Sequence, residues 1–239
     1  MYIMSYKKKI LVFTATYNEA ENIYELISLI KTQPSNPHVL IIDDNSPDGT
    51  SDKVVKSQSK FKDIFLIKRN KKLGLDTAHK EAYNFAIKNN YDYFITMDAD
   101  FSHDPNEIKN FVKNLEHFPF VIGSRYMEGG KCLMKRRRLF MSKYGNQMIR
   151  FFLKIDCTEY TSSFRGFNLK ALNDFSLDIV KTKGYSFFMG TIFEINKKKF
   201  KIKQIPITFK DRSKGYSKIP KLEIFRTLFN LIKLKLRNV

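Results

Sequence analysis

The sequence is poor in cysteine, poor in acidic charge, and without a long apolar run. Its two cysteines, Cys132 and Cys157, form no CxxC pair and supply no disulfide framework, which fits a reduced, cytosolic setting. Asp and Glu number 24 against 43 Lys and Arg, and the resulting net charge of +19 favours an anionic partner: nucleic acid, anionic lipid or a phosphorylated substrate. "YKKKILVFTA" begins as a signal peptide would, but its apolar run stops at Tyr17-Asn18-Glu19 with no small-residue cleavage site. No stretch downstream reaches membrane-spanning length either. Glycine and proline are thinly spread, and no linker, internal repeat or low-complexity tract is visible. What is present is a composition that folds. Hydrophobic residues at 43% and aromatics at 14% exclude a disordered chain, and 239 residues lie near the upper size for one domain.

Apolar runs alternate with segments of helical period. Strands are expected at 9–15, 38–43, 63–68, 92–98 and 118–124. Helices are expected at about 19–31, 50–59 and 76–89, with another started by Pro105 at its first turn. Strands that read as unbroken apolar runs, spaced by helices, indicate a mostly parallel sheet with helices on both faces. The expected architecture is one α/β domain.

Polar residues gather behind these strands: Thr16-Tyr17-Asn18-Glu19 after the first, Asp43 to Thr50 after the second, and Asp98-Ala99-Asp100 after the fourth. In an open parallel sheet the carboxyl ends of strands form the ligand crevice, so the three clusters should open into one cleft. Each has a plainer reading; "SPDG" makes a good turn and helix cap by itself. Residues two apart on a strand point the same way, so Asp98 and Asp100 would repel unless a cation lies between them. A hard divalent ion such as Mg2+ is typically held by one or two carboxylates together with substrate phosphates.

The motifs "TYNEAENI" (16–23), "IIDDNSPDGT" (41–50), "KLGL" (72–75), "DADFSHDP" (98–105), "GSRY" (123–126), "SSFRGF" (162–167), "GYSF" (184–187) and "DRSKGYSKIP" (211–220) occur in that order. Together they resemble the catalytic domain of dolichyl-phosphate (polyprenyl-phosphate) mannosyltransferases, family-2 inverting glycosyltransferases of the GT-A, Rossmann-like fold. The resemblance covers roughly residues 8–220. It implies that Thr16, Tyr17, Glu19, Asp43, Asp44 and Asp48 line the nucleotide pocket, with Arg69 and Lys72 near the diphosphate and Ala99 beside the donor. Asp98 and Asp100 would bind Mg2+ or Mn2+. Ser102 stands where the family usually has a Gln ligand, so a hydroxyl or a water would take that place. For His103 the plainer role, a hydrogen-bonded loop anchor, is favoured over metal binding.

By the same resemblance Arg125, Arg138 and Ser142 match the acceptor-phosphate positions. Arg212 and Lys218 match a mobile loop over the active site, and Arg136 reads as a solvated base. No residue is clearly committed as a general base. A phosphate monoester has a second pKa of about 6 and can attack as a dianion, so the protein needs cations to hold it in line rather than a base. By the resemblance, Asp98, Asp100, Arg125 and Arg212 are the expected catalytic set.

A lipid acceptor calls for membrane contact. Residues 139–155 and the C-terminal "KLEIFRTLFNLIKLKLRNV" place bulky apolar groups at helical spacing among Lys and Arg, as an interfacial helix does. The expected organisation is a catalytic domain over 1–218 and a basic amphipathic helix over 219–239, peripheral at the cytosolic face of a membrane. Relatives often continue into membrane helices, so the chain resembles a minimal type or one needing a separate membrane subunit. Departures from the family pattern are Ala15 for a Pro, Asp76 within "GLDTA", and Phe188 and Gly190 where a Gln and an acid are usual; Glu194 could supply the acid.

The reading that results is inverting transfer of a hexose, first of all mannose from GDP-mannose, to a polyprenyl phosphate. A family-2 enzyme acting on a glycan hydroxyl or a lipid-linked saccharide is the alternative, with Asp156, Glu159 or Glu194 as base. A nucleotidyltransferase would want a glycine-rich loop after the first strand, and "TATYNEAEN" has no glycine. A nucleic-acid-binding module would fit the charge, but no RNA- or DNA-binding signature is present, so nucleic acid is not an expected partner.

Overall fold

Alternation along Ile10–Thr16 (β1) sends Ile10 and Val12 to one face and Leu11 and Phe13 to the other, and all four are buried. A strand buried on both faces belongs in the middle of a sheet. In the structure, a computed structural model describing residues 8–211 and 223–237, β1 lies between His38–Asp43 (β2) and Tyr93–Thr96 (β4) and runs parallel to both. Ile64–Lys68 (β3), Phe120–Ser124 (β5), Arg165–Asn168 (β7) and Ile202–Pro206 (β8) complete a seven-stranded sheet of order β3-β2-β1-β4-β7-β5-β8. Only β7 is reversed. It pairs antiparallel with β4 and β5, which leaves those two parallel to each other with their carboxyl ends on the edge where β1 and β2 also end. A small parallel pair, Lys131–Cys132 (β6) with Thr208–Phe209 (β9), stands beside that edge.

Helices cover both faces, as the pattern predicted. Ile23–Lys31 (α1), Thr50–Lys60 (α2) and Ile108–Leu115 (α4) bury their apolar stripes against the Ile10–Val12 face. Leu75–Lys88 (α3), Arg136–Leu153 (α5), Ser186–Lys197 (α6) and Glu223–Leu236 (α7) cover the other. Helix α7 sets Leu231 and Leu234 into the same core as α5 and α6, so the C-terminal helix is part of the packed body rather than a detached appendage. No helix of the described residues is long and apolar enough to cross a membrane.

Two of the boundaries that differ from expectation bear on the site. The helix expected from residue 19 starts at Ile23, because the Glu19 carbonyl accepts from the Asn22 and Ile23 N–H groups in a tight turn first. The strand expected over 92–98 ends at Thr96. Asp98-Ala99-Asp100 therefore sits on a loop, and its carboxylates owe their placement to loop hydrogen bonds rather than to strand alternation.

Candidate active site

The loop leaving β4 is pinned at its base by His103. The Asp98 N–H lies 3.2 Å from His103 Nδ1, which must accept it, so the ring proton sits on Nε2, facing Ser162 Oγ at 3.4 Å. Phe164 and Phe209 pack on the ring. Burial holds the imidazole pKa below its ordinary value despite Asp98 and Asp100 nearby, so the ring is a neutral anchor. Ser163 Oγ donates to Asp98 Oδ1 at 2.6 Å, and the Ser102 N–H donates to Asp100 Oδ1 at 3.1 Å. Burial pushes the Asp98 carboxyl above its ordinary range; the charge of Asp100 adds to this, and His103, Ser163 and Arg125 oppose it.

Ser102 Oγ is buried and has no hydrogen-bond partner. A like-charged carboxylate pair and an orphaned hydroxyl within five residues fit a hard divalent cation. No group of three His, Cys, Asp or Glu among the described residues could enclose one. Its remaining ligands would be oxygens from substrate or water, the usual arrangement for Mg2+.

On the β1–β3 side the carboxylates are engaged within the protein. Asp43 is fully buried: its Oδ1 accepts from the hydroxyls of Thr16 and Ser46, and its Oδ2 from the Ser46 N–H and Ser51 Oγ. With four donors it is the knot of the loop at the carboxyl end of β2, where a residue of the nucleotide pocket was expected. Asp44 accepts from Arg69 Nη1 at 3.0 Å and from the Gly74 N–H at 3.1 Å. Arg69, 7% exposed, also donates to Thr77 and twice to Glu81. It is a strut between β3 and α3, on the side where the diphosphate was expected. Asp48 is exposed and ties the β1 and β2 loops together, accepting from Thr50 and from the Ala20 N–H. Glu19 accepts from the Asn22 amide. The groups presented outward are the half-buried Tyr17 ring and the exposed Lys72 ammonium, which lies 4.1 Å above it. Asp76, the departure in "GLDTA", accepts from the Gly184 N–H at 3.0 Å and fastens the 184–186 turn to α3.

The β5 side is built around Arg125. Gly130 passes directly over its backbone; a Cβ there would lie 2.6 Å from the Ser124 carbonyl oxygen and 2.9 Å from the Arg125 carbonyl carbon. The guanidinium lies between the rings of Phe209, 4.2 Å away, and Tyr126, 5.2 Å away. Arg125 Nε and Nη2 both donate to Glu159, at 2.8 and 3.3 Å, and Nη2 donates to Thr161 Oγ1. Glu159 is fully buried, and although burial favours its neutral form, Arg125 and the Thr161 hydrogen bonds hold its carboxyl below the ordinary range. Tyr126 donates to Ser142 Oγ at 2.7 Å, and Arg138 Nη1 donates to Asp211 at 2.6 Å. Arg212 and Lys218 lie outside the described residues.

Sheet topology brings together Thr16, Asp43, Asp44, Asp98, Asp100 and Arg125 at one edge. None of the three candidate bases stands ready for that role: Glu159 is locked to Arg125, Asp156 is 91% exposed and bonded to Arg150, and Glu194 is paired with Arg237 of α7. Glu194, the residue that could supply the missing acid, is paired with Arg237, and Gly190 is required because a Cβ there would meet Thr182 Oγ1 at 2.1 Å. The loop beside Asp98 owes its shape to an arginine to which the sequence assigned no role. Arg165, fully buried, donates to the carbonyls of Tyr160, Ser162 and Phe188 and braces the 160–163 loop that carries Ser163 to Asp98; burial lowers its pKa to about 9. The only signal in the sequence was its place inside "SSFRGF".

This cleft can be set beside known proteins. A polyprenol monophosphomannose synthase of Mycolicibacterium smegmatis is 30% identical over 96% of this chain and 88% of its own length. An undecaprenyl-phosphate mannosyltransferase of Micrococcus luteus is 30% identical over 88% of this chain and 87% of its own. Among solved structures, glucosyl-3-phosphoglycerate synthase of Mycobacterium tuberculosis with Mn2+, UDP and product aligns with a TM-score of 0.66 at 15% identity, over 96% of this chain and 79% of that one. A mannosyltransferase of Pyrobaculum calidifontis with GDP-Man and Mn2+ aligns with a TM-score of 0.57 at 20% identity, over 89% and 59%. At those identities the structures speak for the fold, which is of the GT-A type. The family model for glycosyl transferase family 2 matches residues 11–175, from β1 to beyond β7, and to that family this chain belongs.

Proposed function

We propose that this chain transfers a hexose, mannose from GDP-mannose in the first instance, to a polyprenyl phosphate with inversion at the anomeric carbon. The observation that carries the reading is the pairing of a carboxylate loop with a guanidinium site on one sheet edge. Asp98 and Asp100 stand after β4, Arg125 after β5, and the 159–163 segment binds to both. Asp98 and Asp100, with Ser102 beside them, would hold Mg2+ or Mn2+, which when bound neutralises a departing diphosphate. The names of the two 30%-identical relatives agree with a polyprenyl-phosphate acceptor.

A phosphate acceptor also explains what the cleft lacks. An attacking hydroxyl must lose a proton, whereas a phosphate dianion carries its nucleophilic oxygen ready-made. The work of the protein is then to hold that dianion in line with the anomeric carbon, and guanidinium forks match phosphate oxygens in geometry. Arg125 and Arg138 take this role with the Ser142 hydroxyl. Tyr17 and Lys72 offer a ring face and a charge to the nucleotide on the other side.

The lipid tail calls for an interface. Phe140, Met141, Tyr144 and Phe151 of α5 and Leu228, Phe229 and Ile232 of α7 are exposed, with Phe140 and Phe151 above 70%. Lys143, Lys233 and Lys235 stand among them. That surface suits peripheral seating on an anionic leaflet.

The test is turnover by purified protein with Mg2+ or Mn2+, a panel of labelled nucleotide sugars, and polyprenyl phosphate in detergent. Lipid-linked mannose is the expected product. Glycosylation of a glycan hydroxyl, with no lipid-linked product from any donor, would refute the acceptor assignment.

A further inference from the structure

The buried Glu159 carboxylate was expected, if anything, to be a base. Its surroundings point elsewhere. Oε1 accepts from the Thr161 N–H, Thr161 Oγ1, the Ser162 N–H and Arg125 Nη2, and Oε2 accepts from Arg125 Nε. A carboxylate with four donors on one oxygen and Arg125 on the other, in a side chain with no exposed surface, has no path to a substrate proton. Arg125 is held quite differently along its two edges. The Nε–Nη2 edge is engaged by Glu159 and Thr161, its faces are covered by Phe209 and Tyr126, and Nη1 donates to nothing among the described residues. The same segment continues two residues on to Ser163, which holds Asp98.

We infer that Glu159 is a positioning residue: it clamps one edge of Arg125 so that the Nη1 edge is presented, in fixed register with Asp98, to the acceptor phosphate. Thr161 is the second point of the clamp. This rests on the phosphate-acceptor reading and deepens it, because it makes acceptor affinity depend on a carboxylate that touches no substrate. A guanidinium already locked by a neighbour loses little further freedom on binding, which is how preorganisation raises affinity.

The experiment is a double-mutant cycle on Glu159→Gln and Arg125→Lys, with KM for a short prenyl phosphate, KM for the nucleotide sugar and kcat measured at each corner. Glu159→Gln should raise the acceptor KM about tenfold or more and leave the donor KM within about twofold. In acceptor KM the double variant should be no worse than Arg125→Lys alone, since the effect of Glu159 on the acceptor runs through that arginine. Thr161→Val, which loses one bond to each partner, should raise the acceptor KM by a smaller factor, and it serves if Glu159→Gln does not fold. An unchanged acceptor KM in a folded variant, or additive effects around the cycle, would overturn the inference. So would loss of kcat together with the acidic limb of the pH profile, the signature of a base. Wild-type protein run alongside separates the two levels. No wild-type lipid product defeats the acceptor reading, whereas wild-type turnover with unaltered variants defeats only the role of Glu159.

Discussion

Two buried arginines, Arg69 and Arg125, sit on opposite halves of the same sheet edge, with side chains almost equally enclosed at 5% and 6% exposure. They answer different needs. Arg69 distributes its donors over Asp44, Thr77 and Glu81, leaving no nitrogen without a partner, and so joins β3 to α3. Among the described residues Arg125 has one carboxylate partner and an unengaged nitrogen. A buried cation with every nitrogen engaged is architecture. One clamped along a single edge suits the proposed binding role, and the contrast predicts where damage shows as instability and where as lost affinity.

The strongest perturbation removes the centre that both halves share. Asp100→Ala should lower turnover about a thousandfold, since a metal-held charge contributes several kcal/mol to the transition state. Titration calorimetry with Mn2+ should show weakened metal binding in the same variant. Retained turnover would break the assignment of the 98–102 loop.

Next come the arginines themselves. Arg69→Gln should cost about 3 kcal/mol of stability, because it leaves Asp44 buried with only the Gly74 N–H as partner; acceptor KM should be unchanged. The double variant Arg125→Gln, Glu159→Gln removes both charges of the other pair, so by denaturant midpoint it should lie much nearer wild type than either single variant. Its use of the lipid phosphate should nonetheless be lost. If Arg69→Gln instead impaired donor use in a stable protein, the comparison would fail.

Between the halves lies His79 of α3, packed edge-on against Phe13 of β1 and Phe188 of α6, with Nδ1 2.9 Å from the Leu75 carbonyl. Burial lowers its pKa from 6.5 to about 4, so the folded protein holds the ring neutral where the unfolded chain would protonate. The unfolded state therefore binds more protons, and stability falls as pH drops from about 6.5 to about 4. At about 1.4 kcal/mol per pH unit the loss approaches 3 kcal/mol. His79→Leu should flatten that part of the stability profile, measured by urea unfolding across the range.

How much of this was legible depends on what each residue reports locally. β1 to β5 and α1 to α4 show themselves as unbroken apolar runs and amphipathic stripes, and they lie within two residues of expectation except at the start of α1 and at α4, which begins at Ile108 after a short 3-10 turn from Pro105. The reversed β7 did not, because "RGFN" is four residues with a charge and a glycine inside. Neither did α6, which is buried from Ser186 to Ile195 and so presents no polar stripe to set its period. The cleft carboxylates were visible by type, yet type does not reveal engagement. Asp43 and Asp98 look alike in sequence, and only the packing of Ser46, Ser51 and Thr16 makes the first a knot.

The mildest test concerns Arg138, the second cation of the phosphate side, whose partner is Asp211 rather than a buried carboxylate. Both side chains are well exposed, at 46% and 32%, and such pairs contribute about 0.2–1 kcal/mol. An acceptor phosphate reaching Arg138 would have to displace Asp211, so the aspartate competes with the substrate for the same fork. Asp211→Asn should then lower the acceptor KM by about two- to fivefold, with kcat and donor KM unchanged. Raised ionic strength should shrink the difference, because exposed charges are screened within about 10 Å at 0.1 M salt. A rise in acceptor KM would mean that Asp211 orients Arg138 as Glu159 orients Arg125, and the phosphate side would then have two clamps instead of one.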